Sequence, residues 1–348
     1  MAANGRVHTE STILRMAWIR SFRSKVLLHS FLGSWAAIAF GQKPAFVIGE
    51  KLAGSIGFYD ADGQRLSGAK VGSHPHEVVL SPDKRTLYVA DNGVVWMTET
   101  GMGENTVSVV DIASRKTVGK LELGEYHRPH GITFDAPLGR LLVTTEKPSW
   151  LLSIDPASKK IVRSYNVGGK APHIVNVGRQ PELAFVTNTD TGTLAVIDLK
   201  SGAQKVIPCG ERPQGQALSP DAKTLYVANS GGASISIFDV ERKERVGTIP
   251  TGKAPVRLVV TLDGKTLIYA AQEGRSVGFV DIQTRKEMAA IPLSGRPVSM
   301  SLSVDGTVAY SSVQEQDKIY VISVPQRKTL RIFETPKGTG PDPVVPLL

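Results

Sequence analysis

The sequence predicts an all-β chain folded as a seven-bladed β-propeller, with four antiparallel strands in each blade. Three observations predict it. Residues 210–252 read as four short strands, QALS, TLYVAN, SISIFDV and RVGTIPT, each rich in β-branched residues and bounded by turn residues. The pattern then recurs, since glycines closing a fourth strand stand at 72, 124, 168, 210, 252, 295 and 338, spaced by 52, 44, 42, 42, 43 and 43 residues. Within those units the second strand returns as TLYVAD, LLVTTE, LAFVTN, TLYVAN, LIYAAQ and VAYSSV, and the third as VSVVDI, LLSIDP, LAVIDL, SISIFDV, VGFVDI and IYVISV. One meander cannot bury its own faces, whereas blades of this period packed radially bury each face against a neighbour.

Taken in order, residues 1–41 fall outside the repeats. Arg15, Arg20, Arg23 and Lys25 precede an apolar run from Val26 to Phe40 that ends Ala39-Phe40-Gly41, the pattern of a secretory signal peptide cleaved before Gln42. The run is too short to span a bilayer, and no later stretch reaches 18 apolar residues, so no transmembrane segment is expected. An exported protein, periplasmic or secreted, is therefore predicted, with residues 42–348 forming one propeller domain. The plain alternative is a basic N-terminus carrying one buried helix.

The first blade is split. Residues 45–72 supply strands two, three and four as AFVIGE, SIGFYDAD and RLSGAKVG, but no strand one. Gly340-Pro341-Asp342-Pro343-Val344 repeats the lead-in Gly72-Ser73-His74-Pro75-His76, so the C-terminus is expected to complete the blade and close the ring. Pro346 suits an innermost strand, whose free edge tolerates a missing N–H. The blades that follow have boundaries near 72, 124, 168, 210, 252, 295 and 338. Blade two carries about ten extra residues, NGVVWMTETGMGEN, leaving strand two towards the channel mouth. Trp96, Met97 and Glu99 are thereby candidate lid residues.

Charge excludes some functions. The formal net charge of +9 falls to +5 without residues 1–41, which hold five Lys/Arg and one Asp/Glu. The paired cations Arg115-Lys116, Lys159-Lys160, Arg242-Lys243, Arg285-Lys286 and Arg327-Lys328 lie at hairpin tips, without the interleaved aromatics of a nucleic-acid binder. Asp111, Asp155, Asp198, Asp239 and Asp281 stand one per blade, as turn-initiating residues do, and do not converge on one calcium ion. Cys209, the only cysteine, cannot form an internal disulfide and is expected as a small turn-flanking residue or, less simply, a thiolate ligand.

The segments SPDAKTLYVAN and ISIFDVERKERVGTIPTGKAP resemble the YVTN family of seven-bladed propeller repeats, and the resemblance runs over roughly residues 45–345. The WD and GH signatures of WD40 repeats are absent. Blades three and four depart from the SPD turn, with FDAPLGR and VGRQPEL, and blade seven has Ser323 where others have Asp. The resemblance implies exported proteins that bind ligands or partners, with lactonase and lyase propellers among the relatives. It implies no single reaction.

Chemistry is expected at the channel mouth. After the lead-in proline the seven blades carry His76, His130, His173, Gln214, Val256, Val298 and Val344, a lopsided ring with its polar groups on one side. Hairpin counting sets Glu146 opposite His130, Asn92 near His76 and Asn188 near His173, with Glu50, Asp190, Glu273 and Glu315 in similar loops. His76, His130 and His173 with Glu146 form a candidate site for a divalent transition metal, and His130 with Glu146 a candidate acid–base pair. The loops before the lead-in prolines carry Arg128, Lys170, Arg212, Lys253 and Arg296, cations that would draw an anion to a concave rim. Three functions fit: a binding propeller for a small, anionic ligand or a partner; a lactonase-like hydrolase or lyase using mouth His and Glu; an interaction scaffold. The first is preferred because no GxSxG or HExxH motif occurs, and a monomer is expected.

Overall fold

A computed structural model describes residues 42–178 and 182–347, so the expected signal peptide lies outside the described residues. These residues form seven four-stranded antiparallel sheets, one per predicted blade. In blades two to seven the strands follow chain order from the channel outward. In blade one the order is Pro341–Pro346, Phe46–Glu50, Ser55–Tyr59 and Arg65–Lys70, so the C-terminal strand is innermost and pairs Phe46 with Pro346 and Ile48 with Val344. The ring closes as the repeat pattern predicts, but two residues out of the expected register. Pro341, not Pro343, pairs at the lead-in position opposite Glu50, so Asp342 lines the channel mouth while Val344, expected there, pairs with Ile48 and packs in the core.

Burial explains why closure is favourable. The second and third strands of each blade are buried on both faces, as in Leu225–Asn229 and Ile235–Phe238. Each apolar cluster is shared by two neighbouring blades. Tyr226, Ile235 and Ile237 of blade five pack with Leu258, Leu267 and Tyr269 of blade six. Blade one packs both ways, placing Val47, Ile56 and Phe58 against Leu87 and Val89 of blade two, and Phe46 and Tyr59 against Tyr310 and Ile319 of blade seven. At about 1.5–3 kcal/mol for each large apolar side chain removed from water, every such interface outweighs one lost turn contact many times over. The fourth strands alternate exposed and buried residues, as outermost strands should.

The motif residues of the second strand tie blades together. Thr187 Oγ1 donates to the Gln214 carbonyl (2.8 Å), and Thr144 Oγ1 donates to the His173 carbonyl (2.8 Å), each fixing the next blade's lead-in. Asp91 Oδ1 accepts the Gly72 N–H (2.9 Å), anchoring a glycine that ends the previous blade. Blade seven departs from the pattern, its innermost strand being only Ser301–Leu302. There Ser299 Oγ accepts the Ser312 N–H, a side chain replacing a rung of the backbone ladder. The recurring hairpin aspartates bond their own turns, as in Ser114 N–H to Asp111 (2.7 Å) and Thr284 N–H to Asp281 (2.6 Å), so they serve as turn formers.

Candidate functional site

A repeated backbone irregularity builds the site. In blades two to six the residue before the lead-in proline, His74, Arg128, Ala171, Arg212 or Ala254, has a left-handed φ of 47–54°. The pairing register then slips just past the proline, between Pro75 and Val78, Pro129 and Ile132, Pro172 and Val175, and Pro213 and Gln216. A bulge of this kind re-aims one side chain out of the ladder. The re-aimed residues include His76, His130, His173 and Gln214. Gly131, beside His130, lets blades three and four approach, because a Cβ there would stand 2.3 Å from the His173 carbonyl oxygen.

The three imidazoles converge from three blades. The His76 and His130 ring centroids lie 3.7 Å apart and those of His130 and His173 4.0 Å, and one ring nitrogen of each lies within 4.8 Å of the others'. All are buried, at 8%, 1% and 3% exposure. His130 Nδ1 stands 2.7 Å from Glu146 Oε1, and Glu146 also accepts from Arg128 Nη1 (3.1 Å) and Asn92 Nδ2 (3.4 Å). Burial holds His76 and His173 well below the ordinary imidazole range, helped by the neighbouring charge on His130. Burial also lowers His130, against the opposing pull of Glu146. Glu146 would be raised by its own burial, but its bonds to His130 and Arg128 outweigh that and hold its carboxyl low.

A cavity of about 210 Å³ opens over His76 and His173. Lys51, Arg212, Arg257, Gln214, Gln272 and Gln314 contribute polar walls, Val256 and Val298 an apolar one, and Asp342 a single carboxylate. Lys51 Nζ is 3.7 Å from Asp342 Oδ2, both buried. Burial raises the Asp342 carboxyl to about 6, although Lys51 pulls it down, and burial lowers Lys51. Arg257 reaches across the channel from blade six to Glu77 of blade two (2.7 Å).

Several predicted positions are displaced by one residue. Pro172 pairs with Asn188 and Pro341 with Glu50, so Asn188 and Glu50 lie opposite the prolines, one residue short of the channel position. A slip of one residue reverses the face a side chain occupies. Accordingly, Asn188 donates to Val167 O and Thr193 Oγ1, and Glu50 accepts from Ser55, Tyr59 and Arg65, all within or beside their own blades. The residues equivalent to Glu146 are instead Lys51, Asn92, Thr189, Ser230, Gln272 and Gln314. Lys51, Gln272 and Gln314 were missed, along with Arg257 and Asp342; aligning the blades by their lead-in prolines would have found the first three.

The rim cations divide into two sorts. Arg128, Arg212 and Arg296 immediately precede the proline, whereas Lys170 and Lys253 stand one residue earlier and are exposed. Arg128 is 1% exposed and forms no open rim. It donates to Glu146 and to the carbonyls of Met97 (3.3 Å), Glu99 (2.5 Å) and Gly101 (2.6 Å), pinning the blade-two insertion. Arg212 has Asp190 at 3.8 Å, and Arg296 has Glu315 at 2.9 Å and Glu273 at 3.7 Å. The insertion itself covers the mouth, with Trp96, Met97 and Thr98 lining the cavity and Lys51 Nζ 5.9 Å from the Trp96 ring centre. Glu99 turns away from it, its carboxylate accepting the N–H groups of Val95 and Trp96. Cys209 is buried between blades four and five, and burial pushes its thiol up to about 12, which sets it apart from the site.

Comparison with known proteins agrees with this fold. Residues 183–290, in blades four to six, match the model of the family described as lactonase, 7-bladed beta-propeller. That match contains Arg212, Gln214, Arg257 and Gln272 but none of the three histidines. Among solved structures, hydrazine synthase of Kuenenia stuttgartiensis is similar with a TM-score of 0.71 at 18% identity, covering 81% of this chain and 94% of that one. A functionally unknown protein from Desulfotomaculum acetoxidans DSM 771 is similar with a TM-score of 0.70 at 16% identity, covering 86% and 98%. At such identity the likeness is one of fold. No curated protein matched in sequence. Among the described residues no helix is long and apolar enough to cross a membrane.

Proposed function

We propose that this chain is an exported β-propeller that binds a small anionic molecule in the cavity beneath the Trp96 loop. The observation that carries this is the cavity wall, where Lys51, Arg212 and Arg257 face a space bordered by one carboxylate, Asp342. Glu77 bonds Arg257 at 2.7 Å and holds it in place, while Asp190 lies 3.8 Å from the exposed Arg212. Because the low-dielectric walls screen little, a bound carboxylate or phosphate gains more from such cations than it would in water. The polar amides of Gln214, Gln272 and Gln314 supply orientation, and the lid excludes solvent. Export rests on the pattern of residues 1–41 alone.

The test is binding of a panel of carboxylates, phosphates and acidic sugars, each beside a neutral isostere, at low and physiological salt. Anionic members are expected to bind and to weaken with salt, with Arg212→Gln reducing affinity about tenfold or more, the loss of one charge-assisted contact. Lys253→Gln, outside the cavity, should alter association rate alone. Neutral isosteres binding as tightly as the anions would overturn the proposal.

The lactonase-family match over residues 183–290 favours a second reading, hydrolysis of a lactone or ester in the same cavity. A basic group takes a proton from water, whose oxygen attacks the carbonyl carbon; the acyl C–O bond breaks and its oxygen takes up the proton. The carboxyl of the product hydroxy acid then loses its proton to solvent, giving an anion suited to Lys51, Arg212 and Arg257. Proton release on addition of lactones, measured at constant pH, decides whether turnover occurs.

A further inference from the structure

We propose that His76, His130 and His173 form a binding site for one divalent transition-metal ion at the floor of the channel mouth. The inference stands independently of the anion-binding proposal, because it rests on different side chains. Three imidazoles from three blades bring ring nitrogens within 4.8 Å of one another, a separation that small side-chain rotations close to the spacing of ligands around an ion with metal–nitrogen distances of about 2.0–2.1 Å. Buried polar atoms normally find partners. Here His76 Nδ1, His130 Nε2 and His173 Nδ1 make no hydrogen bond, the Glu77 carboxylate standing 3.6 Å from His76 Nδ1, and all belong to residues more than nine-tenths buried. Burying three such groups together costs free energy that a shared ion would offset.

The surroundings fit a metal. Glu146 bonds His130 Nδ1, which leaves Nε2 as the lone-pair nitrogen, the carboxylate–histidine arrangement that orients metal ligands. Arg128 and Asn92 fix Glu146 in turn. Glu77, Glu146 and Asp342 stand against Lys51, Arg128, Arg212 and Arg257, so the carboxylates offset most of the positive charge that a dication entering the site meets. Three neutral nitrogens suit zinc, cobalt, nickel or copper better than calcium or magnesium, which prefer oxygen. His76 and His173 also border the cavity, leaving a coordination position open on that side. His74 and His127 lie outside the cluster and provide controls.

The experiment uses the chain purified without an affinity tag, stripped with chelator and titrated with Zn²⁺ by calorimetry and with Co²⁺ by visible absorption. One ion per chain is expected, with cobalt d–d bands and no thiolate charge-transfer band, which excludes Cys209. His76→Gln, His130→Gln and His173→Gln should each weaken binding about a hundredfold or more, and Glu146→Gln about 10–100-fold with stoichiometry retained. His127→Gln should leave affinity unchanged. Failure of the folded wild-type chain to bind one ion overturns the proposal, as does one ion retained by a folded triple variant. Should the triple variant not fold by circular dichroism, an unchanged zinc affinity in Glu146→Gln overturns it instead.

Discussion

The two sides of the channel mouth share one backbone and differ in everything else. After the lead-in proline, blades two to five present His76, His130, His173 and Gln214, whereas blades six and seven present Val256 and Val298, and blade one, between the two sides, presents Asp342. The bulge that re-aims these positions is present on both sides, as the slip between Pro255 and Arg257 shows. The difference teaches that the repeat sets direction and the residue sets chemistry. On the polar side, Thr144 and Thr187 also grip the neighbouring backbone; on the other, Val256 and Val298 pack as ordinary buried residues.

The two sides meet at blade one, so removing its innermost strand should have the largest effect. Deletion of residues 340–348 exposes Ile48 and Val47 and leaves a strand edge unpaired. A loss well above about 4 kcal/mol is expected, beyond the usual range of single substitutions. Thermal melting followed by circular dichroism checks it, and an unchanged midpoint would mean that this strand does not close the ring.

Arg128 and Arg296 sharpen the comparison at equivalent lead-in positions. Arg128→Ala strands the buried Glu146 carboxylate and frees the lid, and should cost about 3–5 kcal/mol. Arg296→Ala removes an exposed ion pair, and should cost less than about 1 kcal/mol. Chemical denaturation of both variants measures the gap; equal losses would refute the division of the rim cations into two sorts.

A reciprocal exchange probes the valines. Val298→Asp sets an unpaired carboxylate on the apolar side and should destabilise by about 2–4 kcal/mol. Gln214→Val, on the polar side, should change stability by under about 1 kcal/mol while weakening anion binding. Comparable denaturation midpoints for the two would erase the contrast.

The smallest effect is a pH dependence. Asp342, raised to about 6, is neutral below that pH and charged above it. Its raised carboxyl therefore contributes stability that is fully present below its ordinary value near 3.8 and lost as pH rises through about 6. Ionisation also adds negative charge to an anion cavity. Affinity for a carboxylate ligand ionised throughout should fall as pH rises through about 6, by about tenfold, and Asp342→Asn should flatten the curve. Titration calorimetry from pH 5 to 8 measures it.

The sequence by itself determined the ring: blade number, strand order within blades and the split blade follow from periodic glycines and alternating apolar residues, because each strand's burial is set by local pattern repeated seven times. It also determined which residue types follow the lead-in prolines of blades two to seven, and the facing of His130 and Glu146; in blade one it named Val344 where Asp342 stands. Only the tertiary structure decided which residues share the cavity. Lys51 and Asp342 are 291 positions apart and meet because the ring closes, and Glu77 meets Arg257 across the channel, contacts with no local signature in the chain. Asn188 and Glu50 face away, and Thr189 and Lys51 replace them, because a single-residue bulge reverses a strand's faces and leaves no mark in its composition. Arg128, a rim cation by sequence, is buried because the ten-residue insertion folds back over it, and three backbone carbonyls that no pattern announces take up its guanidinium.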